Sequence, residues 1–116
     1  MNINELKKNL EKVISLRDEI KDLKKGKQRT YSLREYVELF RDRLIYVDHG
    51  ERDRFWWPMQ VALTNIDEFT DIREEKFNSQ FSANKTKLLS IINRYIKDLQ
   101  HGFQQHDLES KSIRND

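Results

Sequence analysis

The chain has 116 residues, with 22 basic and 20 acidic side chains, and its net charge of +2 is too small to indicate nucleic acid by itself. It contains no cysteine, so disulfide bonds and thiolate chemistry are excluded. Hydrophobic and charged residues each make up 36%, and only three glycines and one proline are present. This composition favours an all-α fold, which we predict to be a compact bundle of three to four main helices with long amphipathic first and last helices.

The first predicted helix carries one apolar stripe, because its hydrophobic residues recur at steps of three and four. The stripe consists of Ile3, Leu6, Leu10, Val13, Leu16, Ile20 and Leu23. Its heptad spacing breaks between Val13 and Leu16, which favours a bundle member over a coiled coil. A structural or oligomerisation subunit built on this long helix is one alternative function.

The second predicted helix starts at a capping box, in which Ser32 and Glu35 satisfy the first backbone donors. Gly50 is expected to end it. The third helix is expected to begin near Trp57, since Pro58 suits the first turn of a helix and is disfavoured inside one. Residues 53–57 then form a short turn or a single-turn helix.

The last predicted helix is capped by Thr70 or Asp71 and runs to about residue 101, where Gly102 acts as a stop signal. The polar stretch over residues 78–85 is expected to kink or interrupt it. We predict one domain over residues 1–102 and a polar C-terminal tail over residues 103–116. No signal region or apolar run of membrane-spanning length is present, so a cytoplasmic protein without a membrane segment is expected.

Three consecutive aromatic rings mark the joint before the third helix. On a helix, adjacent residues point about 100° apart, so three such rings cannot share one face and at least one is expected near the surface. Trp and Arg are enriched at binding hot spots. We predict a partner-binding site formed by Arg52, Arg54, Phe55, Trp56 and Trp57. The alternative is a packed corner in which Trp56 or Trp57 closes the end of the bundle.

Charge is distributed unevenly along the chain. Residues 24–34 carry five basic groups and no acid, whereas residues 65–75 carry five acids and one arginine. These two segments suit two different partners, or each other in a head-to-tail oligomer, and the alternative is that both are solvated loops. The basic segment is a candidate nucleic-acid contact, with Tyr31 available to stack on a base. Its candidate residues are Lys24, Lys25, Lys27, Arg29, Tyr31 and Arg34.

Two arginine–histidine spacings offer the only hint of catalysis. Arg43 precedes His49 with five residues between them, and Arg94 precedes His101 with six. This spacing resembles the R-x(4–6)-H signature of HEPN ribonucleases. The resemblance implies an all-helical enzyme whose arginine and histidine act on an RNA phosphate in a site shared by two subunits. The polar residue that usually follows the motif arginine is replaced here by Leu44 and Tyr95.

Other chemistry finds little support in the residues. A metal ion would have to use His101, His106 and Asp107, or His49 with its acidic neighbours, and neither spacing stacks two ligands on one helical face. We therefore predict no metal, no cofactor and no enzyme activity. The favoured function is a small helical binding protein that regulates or inhibits a protein partner, as immunity proteins, antitoxins and phage inhibitors do. The alternative is an RNA-binding or HEPN-like module.

Overall fold

The computed structural model describes residues 3–24, 31–44 and 52–114. This part of the chain contains five α-helices and no strand, which confirms the all-α prediction. The helices are α1 (Ile3–Lys21), α2 (Leu33–Leu44), α3 (Trp57–Thr70), α4 (Glu74–Ser79) and α5 (Phe81–Arg114), and a π-helical turn (Arg52–Trp56) directly precedes α3. None of these helices combines the length and the apolar character that crossing a bilayer requires.

Helix α5 organises the fold, because it packs against all the other helices and the π turn. With 34 residues it is about 51 Å long, which accounts for the elongated 58 × 24 × 20 Å shape of the molecule. One hydrophobic core joins the inner faces of the helices. Its fully buried side chains include Val13, Ile20, Leu33, Val37, Phe40, Leu44, Phe55, Ile66, Phe77, Leu88, Ile92, Tyr95 and Leu99.

The predicted starts of the second and third helices are both present. Ser32 and Glu35 form the reciprocal capping box, since the Glu35 amide donates to Ser32 Oγ (3.2 Å) and the Ser32 amide donates to Glu35 Oε1 (3.3 Å). Pro58 lies in the first turn of α3, where its missing amide proton removes no helical hydrogen bond. The predicted helix end at Gly50 lies outside the described residues.

The polar stretch over residues 78–85 interrupts the last predicted helix, which is divided into α4 and α5 at Gln80. The buried Asn84 stabilises this break, because its Nδ2 donates a hydrogen bond of 2.7 Å to the Phe77 carbonyl. Neither Thr70 nor Asp71 caps α4, whose N-cap residue is Arg73. Lys85, which follows Asn84, donates from its Nζ to the carbonyls of Lys21 (2.9 Å) and Leu23 (2.6 Å), so α5 also caps the end of α1.

The predicted helix end at Gly102 is wrong. Helix α5 passes through this glycine and continues to Arg114, so it crosses the boundary predicted between domain and tail. An interior glycine costs a helix about 1 kcal/mol relative to alanine. Burial of the next residue, Phe103, against Phe55 at a ring-centroid distance of 5.0 Å favours continuation of the helix.

Candidate protein-binding site

The three consecutive rings separate at the start of α3. Phe55 is fully buried and packs on Phe103, whereas Trp56 is half-buried and packs against the edge of the core. Trp57 is 62% exposed and is one of only three large hydrophobic side chains exposed in the described residues. The expectation that one ring faces outward is therefore met by Trp57, the first residue of α3.

Gly102 fixes the distance between this joint and α5. A Cβ atom added at Gly102 would lie 2.9 Å from Arg54 Cγ and 2.9 Å from Phe55 Cε1, closer than unstrained carbon atoms approach each other. The π turn can therefore rest directly on the α5 backbone. The glycine that resembled a stop signal in the sequence instead permits close packing at this point.

Arg54 of the predicted site is not a free cation. Arg54 pairs with Glu109 on α5, and its side chain is only 28% exposed. This ion pair holds the π turn against the C-terminal half of α5. The side chain of Arg52 lies outside the described residues. Of the five residues predicted to bind a partner, Trp57 is thus the one that presents a large apolar surface to solvent.

A shallow crevice between α3 and α5 lies beside Trp57. Its lining residues are Pro58, Val61, Ala62, Asn65, Ile91, Arg94, Tyr95 and Asp98. Trp57 precedes Val61 by four residues, so the two side chains are neighbours on one face of α3. The crevice holds about 160 Å³, part of which is open to solvent. None of this space is enclosed enough to hold a water molecule, so the crevice is a surface groove and not a small-molecule pocket.

Tyr95 lies at the inner side of this crevice. It is 1% exposed and packs edge to face on Phe40, with 5.6 Å between ring centroids. Its hydroxyl is buried and has no hydrogen-bond partner among the described residues. Burial raises the pKa of the Tyr95 phenol above its ordinary value, so the hydroxyl stays neutral at physiological pH. A buried hydroxyl without a hydrogen bond lowers the stability of the fold by roughly 1–3 kcal/mol, and a polar group that bonds to it would remove this penalty.

Of the two arginine–histidine pairs, Arg94 and His101 can be placed, whereas His49 lies outside the described residues. Both lie on the exposed side of α5, about two helical turns or 10 Å apart along the axis. Arg94 Nε is 3.7 Å from Asp98 Oδ2, so a carboxylate lies between the two motif residues. No group of three metal-binding side chains is found in the described ranges.

The basic segment over residues 24–34 has only three candidate residues in the described part: Lys24, Tyr31 and Arg34. Arg34 faces inward, where its Nη1 donates to the carbonyls of Thr70 (2.8 Å) and Ile72 (3.3 Å) and its guanidinium lies 5.4 Å from the centre of the Phe77 ring. Arg41 on α2 pairs with Asp67. The basic and acidic regions of the chain thus meet within one molecule. Lys25, Lys27 and Arg29 lie outside the described residues.

Comparisons with known proteins identify no relative of this chain. No protein-family model, no curated protein and no solved structure matches the chain. The surface around Trp57 therefore has to be interpreted from its own geometry.

Proposed function

We propose that this protein is a non-catalytic helical binding protein that regulates or inhibits a protein partner by docking on it. The docking site is the Trp57 surface, which we define as Trp57, Val61, Ile91, Arg94 and Asp98. The observation that carries the proposal is the 62% exposure of Trp57 at the edge of a crevice, next to rings that are buried or half-buried. An exposed tryptophan beside a concave apolar site is typical of a binding hot spot.

Covering the exposed part of Trp57 would contribute hydrophobic free energy to binding. A tryptophan side chain buries about 150–250 Å² when fully covered, so covering the exposed fraction removes about 90–155 Å² from water. At about 25 cal/mol per Å² this contributes about 2–4 kcal/mol, or about 30- to 1,000-fold in affinity. Arg94 and Asp98 supply a donor and an acceptor at the rim, which fix the orientation of a partner.

Affinity capture tests the proposal. Immobilised wild-type protein is incubated with a lysate of the organism that encodes it, with and without nuclease, and bound proteins are identified by mass spectrometry. We expect a nuclease-resistant protein partner that Trp57→Ala loses. Leu108→Ala is a matched control, because Leu108 is 61% exposed and lies ten residues, or about 15 Å, beyond Asp98 along α5. A partner that binds both variants equally well contradicts the proposed site.

Size-exclusion chromatography with light scattering separates this proposal from a structural or oligomerisation subunit. A docking protein of this kind is expected to be monomeric at low micromolar concentration, with Trp57 available to its partner. A concentration-dependent dimer that Trp57→Ala dissociates would show that a second copy covers the Trp57 surface. That result would replace the inhibitor proposal with the oligomerisation alternative.

A further inference from the structure

The solvent-facing side of α5 has a charge pattern of which the Trp57 surface includes only Arg94 and Asp98. From residue 76 to residue 97 the chain has five basic side chains and no acidic one. They are Lys76 on α4 and Lys85, Lys87, Arg94 and Lys97 on α5. Asp98 is the one acid in residues 81–106. No other helix of the described chain has such an excess of one sign, since basic and acidic residues alternate on the exposed sides of α1 and α2.

Helical spacing places three of these basic side chains, Lys87, Arg94 and Lys97, on one face of α5. Residues 87, 90, 94, 97 and 101 follow one another at steps of three and four, so they lie on one face of α5. We call this line the α5 stripe: Lys87, Ser90, Arg94, Lys97 and His101. All five residues are exposed. At 1.5 Å per residue the stripe is about 21 Å long.

The charges of the α5 stripe are only weakly neutralised. Arg94 has Asp98 at 3.7 Å, whereas neither Lys87 nor Lys97 forms an ion pair with any described residue. Two acids near α5 are paired with other cations. Asp18 on α1 pairs with Arg17, and Glu109 further along α5 pairs with Arg54.

The basic segment at the end of α1 lies against another side of α5. Lys85 Nζ binds the Leu23 carbonyl at 2.6 Å, and Lys85 is nearly half a turn around the helix from Lys87, Arg94 and His101. The positive charge of the α5 stripe therefore comes from Lys87, Arg94 and Lys97 alone. A basic line of this length on one helix is the electrostatic footprint of a partner with regularly repeated negative charges.

We propose that the α5 stripe binds the phosphate backbone of a single-stranded nucleic acid. The stripe shares Arg94 with the Trp57 surface, so its test uses Lys87 and Lys97, which belong to the stripe alone. Helix α5 packs between α1 and α3, so its exposed side belongs to a broad face of the molecule and does not project as a separate ridge. Such a face cannot enter a major groove about 12 Å wide, as a recognition helix does. A flexible single strand can follow the stripe, with Ser90 as an additional hydrogen-bond donor.

The test measures fluorescence anisotropy of a labelled 12-nucleotide oligo(U) over a salt series, using the full chain. Three phosphate contacts, from Lys87, Arg94 and Lys97, predict a slope of log affinity against log salt of about −2, or about 20-fold weaker binding at 200 mM than at 50 mM salt. The variant Lys87→Ala/Lys97→Ala is expected to bind on the order of 10-fold more weakly at low salt. Its slope should fall to about −0.7.

The matched control is Lys8→Ala/Lys12→Ala, which removes the same charge from the exposed side of α1, next to acidic residues. It is expected to change affinity less than about twofold, since nonspecific attraction to the net charge is small. Circular dichroism checks that both variants fold. Equal losses in both double variants would overturn the proposal, as would no binding of the wild type at 50 mM salt.

Two competing ligands decide the class of partner. Poly-glutamate of matched charge tests for an acidic polypeptide, and a 12-base-pair RNA duplex tests for double-stranded nucleic acid. Stronger binding of oligo(U) than of either competitor supports the proposal. If poly-glutamate binds as tightly as oligo(U), the stripe binds acidic protein, and if the duplex binds more tightly, the single-strand assignment is wrong. Either result overturns the proposal as stated.

Discussion

A Cβ atom placed on Gly102 would lie only 2.9 Å from Cε1 of Phe55, whose ring is fully buried. The other close atoms are Arg54 Cγ and the Arg54 carbonyl oxygen, so neither the ring nor the backbone can move away cheaply. This contact sets the position of the π turn on α5. Through the π turn it also sets the position of Trp57 at the start of α3.

Gly102→Ala should therefore destabilise the protein, although alanine is the better helix former. Overpacking of a core typically costs 1–3 kcal/mol, and the helix propensity returns about 1 kcal/mol. We expect a net loss of about 0–2 kcal/mol in the free energy of unfolding, measured by urea denaturation. Gln105→Ala, at an exposed position of the same helix, is expected to change stability by less than about 0.5 kcal/mol. A stabilised Gly102→Ala protein would show that this contact is not tight.

Replacing Phe55 by alanine should lower the free energy of unfolding much more than replacing Trp57 by alanine. Phe55→Ala empties a fully buried site and is expected to cost about 3–5 kcal/mol. Trp57→Ala removes a mostly exposed ring and is expected to cost less than about 1 kcal/mol. Thermal and urea denaturation of the two variants measure this difference. A large loss of stability on Trp57→Ala would mean that the ring supports the fold, and this result would contradict the proposed binding site.

Arg34 is predicted to stabilise the fold and to contribute little to nucleic-acid binding. Its guanidinium bonds to the Thr70 and Ile72 carbonyls and lies over Phe77, so Arg34→Met should cost about 1.5–3 kcal/mol. Methionine keeps most of the aliphatic volume and removes the charge-assisted bonds. Denaturation measures the loss, and the oligo(U) titration at a temperature where the variant is folded should give an affinity within about twofold of wild type. A large loss of affinity with unchanged stability would instead place Arg34 in a nucleic-acid site.

Replacing Tyr95 by phenylalanine should be neutral or stabilising. The buried hydroxyl has no partner among the described residues, and Phe keeps the edge-to-face contact with Phe40. We expect a gain of about 0–1 kcal/mol in the free energy of unfolding at pH 7, measured by urea denaturation. A loss above about 1 kcal/mol would indicate that the hydroxyl makes a hydrogen bond in solution.

The same residue predicts how stability changes in alkali. The Tyr95 phenol has a folded-state pKa raised by burial, whereas in the unfolded chain it titrates near the ordinary value of 10.0. Above pH 10 the unfolded chain therefore binds fewer protons at this site, and stability falls by up to about 1.4 kcal/mol per pH unit. Below pH 10 both states keep the proton and the site has no effect. Melting temperatures between pH 9 and 11 should fall less steeply for Tyr95→Phe than for wild type.

Two helix starts were predictable from the sequence because their signals are local, whereas the predicted cap at Thr70 or Asp71 was wrong. The Ser32–Glu35 capping box and the first-turn Pro58 act within a few residues of where they stand, and both hold in the fold. The helix end predicted at Gly102 was wrong because the role of this glycine depends on tertiary contacts. The π turn with Phe55 packs on Gly102, and Phe55 also contacts Phe103, the residue after Gly102. Tertiary packing decides such positions, and helix propensity alone does not.

The candidate sites divide in the same way. The sequence indicated that one of three adjacent rings is exposed, but only packing selects Trp57 and buries Phe55. The inward direction of Arg34 depends on carbonyls more than thirty residues away, which no local pattern contains. The α5 stripe did have a signal in the sequence, namely the absence of acids from residue 76 to 97. The line of charge is recognised only when Lys87, Arg94 and Lys97 are placed on the single helix α5.

The side-by-side packing of α1 and α5 has a consequence during synthesis. Helix α1 leaves the ribosome first, but the helix that covers its apolar stripe begins sixty residues after α1 ends. At about 5–20 residues per second, the side of α1 that packs on α5 stays uncovered for roughly 3–12 seconds before the first turn of α5 is made, and longer before its end is complete. The nascent chain thus exposes part of the apolar stripe of α1 during this period, in which chaperones or neighbouring nascent chains can bind it.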